Sequence, residues 1–276
     1  ILAIPYTMVY GIAKMLNFAH GDVIMVGGFT IFYAVSMQSW PPLVGVLIAV
    51  VLCTVLGITI EYIAYRPLRQ AASSLAVLIT AIGVSYLLQN LALLLFGANP
   101  KAFTSVVTVP ALKLADGQLT ISGETIVTIV SCLVIMTGLM IFINKTKAGQ
   151  AMLAVAEDKG AAQLMGINVN GTISLTFAIG SALAAIAGML LCSAYPTLTP
   201  YTGSMPGIKA FVAAVFGGIG SIPGALIGGI VLGIIEILSK AYISSQLADA
   251  IVFMVLIIVL LVKPTGILGK KIQEKV

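Results

Sequence analysis

Residues 23–60 read VIMVGGFTIFYAVSMQSWPPLVGVLIAVVLCTVLGITI, a run of 38 positions without a charged side chain. A helix needs about 20 apolar residues to cross the hydrocarbon core of a bilayer, so this run is long enough for two crossings. Trp40-Pro41-Pro42 lies near its centre, and proline ends a helix because it lacks a backbone donor and clashes with the preceding turn. A break in a helix leaves backbone groups unpaired, and such groups cannot face lipid. The run therefore predicts two membrane helices joined by a turn at the membrane surface.

The whole chain has the same apolar character. Of its 276 residues 60% are hydrophobic and 8% are charged, whereas about 25% of residues are charged in soluble domains. This composition excludes a water-soluble globular protein. The 14 basic residues are scattered rather than gathered in a stripe, so nucleic acid is not an expected partner. Cys53, Cys132 and Cys192 lie far apart in apolar runs, which indicates packing rather than disulfides or a metal site.

Charged residues mark the limits of the helices, because one charge at the centre of an inserting helix costs about 2.5 to 3.5 kcal/mol. The chain begins with Ile1, and the uncharged stretch that ends at Ala13 is short for a crossing, so we expect that the N-terminus is incomplete. The predicted fold is all-α, a polytopic membrane helical bundle in a single domain, 1–276. Its helices are predicted near residues 1–18, 23–38, 43–65, 73–96, 124–143, 171–194, 207–216, 225–239 and 248–262.

The basic residues predict the orientation of the bundle. Loops between successive membrane helices alternate between the two faces of the membrane. This places nine of the basic residues on one face and four on the other, so the positive-inside rule makes the first face cytoplasmic. Lys14 is assigned to neither face. The cytoplasmic set is Arg66, Arg69, Lys145, Lys147, Lys159, Lys263, Lys270, Lys271 and Lys275; the other face carries Lys101, Lys113, Lys209 and Lys240 with the acids Asp116, Glu124 and Asp249.

The first irregular place is Asn17-Phe18-Ala19-His20-Gly21-Asp22, which contains the one histidine of the chain. Polar groups inside a membrane are costly and mark functional cavities. We interpret this stretch as a break in a helix at membrane depth, with His20 and Asp22 facing a cavity lined by protein or water. The alternative is an ordinary cytoplasmic turn in which Asp22 caps the next helix.

The second irregular place is Gly217-Gly218-Ile219-Gly220-Ser221-Ile222-Pro223-Gly224, with about ten apolar residues before it and about fourteen after it. Neither flank makes a comfortable crossing. This pattern predicts two half-helices that meet near the midplane, with Pro223 in the first turn of the second one. Close packing between helices through the glycines explains the same spacing, and both interpretations can hold together.

The third irregular place is 144–170, read as NKTKAGQAMLAVAEDKGAAQLMGINVN. Apolar residues recur at helical spacing on either side of Glu157-Asp158-Lys159-Gly160. The segment is too polar to cross the membrane, so it predicts a short amphipathic helix on the cytoplasmic face that docks against protein. The alternatives are a solvated loop and a helix that lies in the lipid headgroups.

Four passages of this chain resemble one known family. They are YGIAKMLNFAHGD (10–22), LITAIGVSYLLQN (78–90), AGQAMLAVAEDKGAAQLMGIN (148–168) and GIKAFVAAVFGGIGSIPGALIGG (207–229). In content and order they are similar to the inner-membrane permease subunits of branched-chain amino acid ABC transporters, of the LivH type. The resemblance covers nearly the whole chain and implies an ABC importer permease fold with broken or re-entrant helices.

The resemblance also gives 144–170 a role. Permeases of ABC importers carry a cytoplasmic EAA-x3-G loop that docks into the ATPase subunit. Here Ala161-Ala162 and Gly166 keep the AA-x3-G part, Gly160 stands where the glutamate is usual, and the nearest acids lie one turn earlier. Alanines permit a close approach of the partner, and Gly166 permits the turn that ends the helix. The predicted ATPase-coupling residues are Ala154, Glu157, Asp158, Ala161, Ala162, Gly166 and Ile167.

The implied complex contains a sibling permease of the LivM type or a second copy of this chain. Two ABC ATPase subunits bind ATP and Mg²⁺, and an extracytoplasmic binding protein delivers branched-chain or related hydrophobic amino acids. This chain has no Walker A sequence and no cofactor is expected on it. The bilayer of the bacterial inner membrane is the further expected partner.

The polar residues inside the predicted helices are few and mostly neutral, which favours a gated path over a catalytic site. Each one taken singly is also explained by a hydrogen bond between helices, worth about 0.6 kcal/mol. The predicted translocation path or gate consists of Asn17, His20, Asp22, Thr80, Ser85, Asn90, Gly217, Gly218, Gly220 and Ser221; Gln89 and Ser181 are further polar residues at depth.

Other functions stay open at this point. A permease of the same family for urea or amides would have the same pattern. An ion-coupled secondary transporter would need ionisable residues at depth, for which Glu236 and the pair His20 and Asp22 are the candidates. An intramembrane enzyme is not supported, because the sequence has no HExxH and no GxSxG motif.

Overall fold

The computed structural model describes residues 1–15, 17–70, 74–107, 109–114 and 119–269. These residues are mainly helical, as predicted. Two π-helical turns, at Tyr33–Met37 and Glu61–Tyr65, each extend the α-helix before them, and a 3-10 helix follows at Pro67–Gln70. The α-helices are α1 (Ala3–Ala13), α2 (His20–Phe32), α3 (Pro42–Ile60), α4 (Ser74–Phe96), α5 (Gly123–Lys145), α6 (Lys147–Glu157), α7 (Lys159–Leu164), α8 (Val169–Ala194), α9 (Ser204–Gly217), α10 (Ile222–Tyr242) and α11 (Ala248–Val262).

Six helical segments are long and apolar enough to cross a membrane: α2 and α3 with their π-helical extensions, α4, α5, α8 and α10. The helices α1, α9 and α11 are apolar but shorter. The polytopic helical class predicted from composition is therefore confirmed. Of the residues used to predict the orientation, Asp116, Lys270, Lys271 and Lys275 lie outside the described residues.

The predicted helix over 1–18 is wrong at its C-terminal end. α1 ends at Ala13, and Lys14 takes a left-handed conformation with φ 57° while its N–H donates to the carbonyl of Tyr10. A left-handed residue is a common way to end a helix, and it turns the chain away from the helix axis. α1 is therefore about 16 Å long at 1.5 Å per residue, about half the thickness of the hydrocarbon core.

α10 also differs from its prediction. It covers Ile222–Tyr242, 21 residues, and is a candidate span rather than a half-helix. The prediction covers residues 225–239, and the helix extends three residues further at each end. In the structure Glu236 accepts hydrogen bonds from Lys209 and Lys240, so paired charges lie within the outer turns of this helix.

The centre of the bundle is α8, which packs against α1, α2 and α3. α3 and α8 approach closely at Gly57, where an added β-carbon would overlap the side chain of Ser181. A β-carbon on Gly27 of α2 would come within 2.9 Å of the Cα of Ala185. Small residues at helix contacts allow this close packing, which is the main source of attraction between helices in lipid.

Basic residues gather at one end of the bundle. Arg69 Nη1 donates to Asn170 Oδ1 at 2.5 Å, which brings the end of the 3-10 helix to the start of α8. Lys159 is close enough to Arg69 and Lys14 to interact with both electrostatically. We call this the basic end. The structure therefore confirms that residues 66–69 and 144–170 share one end, and it adds Lys14 to that end.

Short strands lie at the opposite end. β1 (Lys101–Ala102) pairs antiparallel with β4 (Thr197–Leu198), and β2 (Leu112–Leu114) pairs with β3 (Leu119–Ile121). The first pair ties the chain after α4 to the chain after α8. These strands of two or three residues leave the helical class of the fold unchanged.

Candidate functional site: a polar cluster at mid-depth

A buried polar cluster joins three helices near the middle of the bundle. Asp22, in the first turn of α2, is 1% exposed. Its carboxylate accepts a hydrogen bond from Ser85 Oγ at 2.5 Å and one from Gln89 Nε2 at 2.9 Å, both on α4. Gln89 Nε2 also lies 3.2 Å from the hydroxyl oxygen of Ser204, the first residue of α9. We call Asp22, Ser85, Gln89 and Ser204 the Asp22 cluster.

The Asp22 cluster lies at the depth of the membrane midplane. Ser85 is the midpoint of α4, which covers Ser74–Phe96. On the other side of α2, the thiol of Cys53 donates to the carbonyl of Val23 at 3.5 Å, and Cys53 is near the middle of the candidate span Pro42–Tyr65. The candidate spans α3 and α4 thus contact the first turn of α2 near their own midpoints. The break between α1 and α2 is therefore level with the middles of two candidate spans.

α9 begins at the same depth as α2. A β-carbon on Gly21 would overlap the carbonyl oxygen of Gly203 and would lie 3.2 Å from the Cα of Gly207. Two helix N-termini consequently touch beside Asp22. The N-terminal turn of a helix carries unpaired N–H groups and a partial positive charge, so a carboxylate is stabilised there. This arrangement explains how an acidic side chain is accommodated at mid-depth among neutral donors.

His20 and Tyr6 extend the polar region toward α1. Their rings meet edge to face with centroids 4.9 Å apart, and both side chains are buried. Within the described part of the chain, His20 Nε2 and the Tyr6 hydroxyl have no hydrogen-bond partner. Buried polar atoms are usually paired, and unpaired ones mark sites that bind something else or that change conformation.

Asn17 lies on the basic side of the Asp22 cluster. Its Oδ1 accepts a hydrogen bond from the hydroxyl of Tyr65 at 3.1 Å, and both residues are buried. Lys14 is exposed at the basic end, whereas Met15, Asn17 and Ala19 are buried, so the described residues of this stretch lead from the basic end into the protein. This geometry agrees with a broken helix. The alternative in which Asp22 caps a solvated turn is wrong, since the first turn of α2 has no side-chain cap and Asp22 bonds to α4.

Two other residues predicted for the path are separate from the Asp22 cluster. Thr80 is half-buried on α4. Asn90 is exposed, and its Nδ2 donates to the carbonyl of Tyr86 one turn earlier. Both lie on α4 with Ser85, but only Ser85 reaches Asp22. Ser181 is buried where α8 contacts Gly57, which is a packing position.

The second break separates α9 from α10. Gly218 and Gly220 have φ values of +107° and +88°, which other residues rarely adopt. A β-carbon on Gly217 would overlap the carbonyl of Gly224, so the two helix ends touch backbone to backbone. Ser221 caps α10 by accepting from the N–H of Gly224 at 3.1 Å, and Pro223 lies in the first turn as predicted. α9, with 14 residues, is the single half-helix of this pair.

The 144–170 segment contains two short helices rather than one. α6 ends at Glu157, Asp158 is extended, and α7 begins at Lys159. Asp158 caps α7 by accepting from the N–H groups of Gly160 and Ala161 at 2.8 and 3.0 Å. Charged residues at this break predicted an interruption, and the structure confirms it.

The turn after α7 also agrees with its prediction. Gly166 has φ +82°, and Ile167 N–H donates back to the carbonyl of Ala162. The two alanines differ, because Ala161 is exposed whereas Ala162 is buried in the protein's own core. The expectation that both alanines approach a partner is therefore wrong for Ala162. Of the other residues predicted for coupling, Glu157 is exposed, and Ala154 and Ile167 are half-buried.

Sequence reasoning missed an ion pair at the basic end. Glu61 is fully buried, forms a salt bridge with Arg69, and accepts a hydrogen bond from Ser174 Oγ at 2.5 Å. Burial lowers the pKa of Arg69 more than any other influence, and the Glu61 carboxylate opposes that change. The spacing of Glu61 and Arg69, eight residues apart across a helix end, is the one signal that the sequence offered.

A cavity of about 670 Å³ lies apart from the Asp22 cluster, between α1, α5, α9 and α10. Its lining is mainly apolar and includes Lys209 and Glu236. Lys209 Nζ is 2.9 Å from Glu236 and 2.6 Å from Asp249, and Lys240 is 2.6 Å from Glu236. Glu236 is thus held in ion pairs, which favours a structural role over that of a proton carrier.

Comparison with known proteins places this chain in a family. The model of the family described as "Branched-chain amino acid transport system / permease component" matches residues 1–260. The chain is 45% identical to the permease protein LivH of the high-affinity branched-chain amino acid transport system of Escherichia coli, over 100% of this chain and 92% of that protein. It is 44% identical to LivH of Salmonella typhimurium, over the same shares. It is 42% identical to BraD of Pseudomonas aeruginosa, over 100% of this chain and 93% of that one. No solved structure gives a significant match. The chain therefore belongs to the family of permease components of branched-chain amino acid transport systems.

Proposed function

We propose that this chain is the permease subunit of an ATP-driven ABC importer and that it carries branched-chain or related hydrophobic amino acids inward. Family membership and the names of the relatives support the class of substrate. In the proposed complex a sibling permease or a second copy completes the path, and an extracytoplasmic binding protein delivers the amino acid. Two ATPase subunits bind ATP and Mg²⁺. The basic end then faces the cytoplasm of a bacterial cell, because basic residues remain on that side of a membrane.

The observation that carries this proposal is the exposed apolar tip of α7. Leu164 is 91% exposed and Met165 is 81% exposed, at the basic end and next to the turn at Gly166. Adjacent large apolar side chains at such exposure mark a contact with another protein or with a membrane, and these two lie outside the candidate spans. The tip follows a capped helix, so its position is fixed before a partner binds. We assign this tip to a groove on the surface of an ATPase subunit.

The test is to replace Gly166 with valine in the complete complex, reconstituted in vesicles with its ATPase subunits and binding protein. A β-branched residue is unfavourable at φ +82° and moves the tip. We expect normal membrane insertion, ATP hydrolysis that no longer depends on the binding protein, and loss of amino acid uptake. Gly97→Val is the matched control, since Gly97 has φ +78°, lies in open space, and follows α4 at the opposite end. Normal uptake by Gly166→Val would refute coupling through this tip.

For the translocation path, we propose that the Asp22 cluster is the closed gate. It connects α2, α4 and α9 through hydrogen bonds at mid-depth, so these helices cannot separate while it is intact. A hydrogen bond to a charged group is worth about 1.5 to 3 kcal/mol, which is small enough for nucleotide-driven movement to break. When the gate is open, the Asp22 carboxylate becomes a partner for the ammonium group of a zwitterionic amino acid. The neutral side chains of the Asp22 cluster hold that amino acid only weakly.

Uptake of labelled leucine, urea and a short amide by the same vesicles identifies the substrate. The proposal expects uptake of leucine that depends on ATP and on the binding protein. Uptake driven by a proton or sodium gradient, by this chain without ATPase subunits, would instead establish the ion-coupled transporter.

A further inference from the structure

One hydrogen bond links the 144–170 segment directly to the first broken helix. Lys159 is the first residue of α7, and its Nζ donates to the carbonyl oxygen of Ala13 at 3.2 Å. Ala13 is the last residue of α1. Its carbonyl is one of those that a helix leaves without an internal partner at its C-terminus. The ammonium group of Lys159 therefore closes the end of α1 from another part of the chain.

The electrostatics of this contact are unusual. Burial lowers the pKa of Lys159 below its ordinary value, and the positive charges of Arg69 and Lys14 lower it further. Three cations at one place repel each other unless negative charge compensates them. The C-terminus of α1 supplies a partial negative charge, and the contact with the Ala13 carbonyl places Lys159 against it. The Glu61 carboxylate compensates Arg69, and the end of α1 is the described group that Lys159 itself contacts.

α1 also contacts the second break. Thr7 is fully buried, and its Oγ accepts a hydrogen bond from the N–H of Gly220 at 2.9 Å. A β-carbon on Gly11 would lie 3.0 Å from the Cα of Gly220. In addition, Met152 of α6 is fully buried in one cluster with Ile4 and Met8 of α1. α1 therefore touches α6, α7 and the turn at Gly220, and its C-terminus leads into the break before α2.

We propose that Lys159 is the positioning residue that couples the 144–170 segment to the gate, with α1 as the rigid element that carries the movement to both breaks. This inference rests on the proposed function, since the movement begins at the ATPase subunits. A helix of 11 residues moves as a unit, so displacing its C-terminus shifts Thr7 and Gly11 against Gly220. It also pulls the chain that leads to Asp22. Packed elements with two arrangements transmit such shifts between distant sites.

The test compares Lys159→Met with wild type in the reconstituted complex. We measure the amount of amino acid taken up per ATP hydrolysed, because a purely structural role would lower both rates together. Loss of the link should reduce this ratio by about five-fold or more, the lower range of coupling between sites, while ATP hydrolysis continues. Lys159→Arg keeps a cationic donor and should restore most of the ratio. Lys113→Met, at an exposed lysine in β2 at the opposite end, is the control and should leave the ratio unchanged.

A second measurement keeps the inference testable if Lys159→Met assembles poorly. Thr7→Val removes the hydrogen bond to Gly220 without changing the size of the side chain, and it should lower the same ratio. If both bonds serve one rigid element, the double variant should be no worse than the more severe single variant. Fully additive losses, or a ratio unchanged by Lys159→Met, would overturn the role of α1. Wild-type complex that fails to couple uptake to ATP would instead refute the proposed function, so the two failures are distinguishable.

Discussion

The two breaks in the helical path differ in the groups that form them. The break between α1 and α2 contains polar side chains, with Asn17 bonded to Tyr65 and Asp22 bonded to α4. The break between α9 and α10 contains glycines, and its closest contacts are between backbones, with side-chain hydrogen bonds only from Thr7 and Ser221 among the described residues. Side-chain hydrogen bonds can be exchanged for bonds to a ligand, whereas a backbone contact fixes a shape. The first break is therefore suited to opening and the second to serving as a fixed turn. Substitutions that remove either set of contacts test this difference.

The largest effect is expected in the second break, for Gly217→Ala. The new methyl group would overlap the backbone of Gly224, which cannot move aside as a flexible side chain can. Overpacking of this kind costs about 3 kcal/mol at the upper end of its usual range. Thermal unfolding in detergent, followed by the fraction that elutes as folded protein, measures the loss. Gly229→Ala is the control on α10, since Gly229 faces open space, and equal losses in the two variants would contradict the fixed turn.

A medium effect is expected in the first break, for Asp22→Leu. The change leaves Ser85 and Gln89 without their acceptor at mid-depth. An unsatisfied buried donor costs about 1 to 3 kcal/mol, so we expect a loss of about 2 kcal/mol in the free energy of unfolding together with loss of uptake. Asp22→Asn keeps an oxygen acceptor and should lose less stability.

The control for this measurement is Asn90→Leu, on the exposed face of α4, the helix that carries Ser85 and Gln89. Surface changes usually alter stability by less than about 0.5 kcal/mol. If Asp22→Leu were as stable as Asn90→Leu, the Asp22 cluster would not hold the three helices together.

The smallest effect is expected at Lys14, where the first break begins. Lys14 has φ 57°, and a side chain in the left-handed region costs about 1 kcal/mol. Lys14→Gly removes that cost but loses some chain entropy, so we expect a gain of about 0.5 kcal/mol in the free energy of unfolding. Lys14→Ala keeps the β-carbon and should show no gain. Thermal unfolding in detergent measures both variants. A gain with alanine as large as with glycine would assign the effect to the lost charge instead of backbone strain.

Much of the fold was predictable, because the energetic rules of the membrane act locally. α11 covers Ala248–Val262 as predicted, since charged residues bound an apolar stretch of the right length. The rule failed at the end of α10, which continues past Lys240 to Tyr242. Lys240 donates to Glu236, which also accepts from Lys209 of α9. For α1 the predicted helix extends past Lys14 to residue 18, whereas the helix ends at Ala13, before a left-handed lysine rather than a glycine or a proline. Pairing across the bundle is invisible to a rule that treats each stretch separately.

The candidate site was predictable only in its components. The polar residues of the first break stand out in an apolar sequence, as does Gly166 after the paired alanines. Their partners do not, since Ser85 and Gln89 follow Asp22 by 63 and 67 residues. Ser204 and Lys159 gave no signal of their contacts with Gln89 and Ala13. Tertiary packing decides such pairs, and one sequence carries no record of it.

The contact of α3 with α8 at Gly57 has a consequence for work with the isolated protein. No acyl chain fits at a helix contact where an added β-carbon would already overlap Ser181, so solubilising agents cannot enter there. α5 is the least buried of the six candidate spans, and amphiphiles reach all but a small part of its surface. We therefore expect extraction from lipid to loosen α5 first, and additives that mimic native lipid to act mainly on that side.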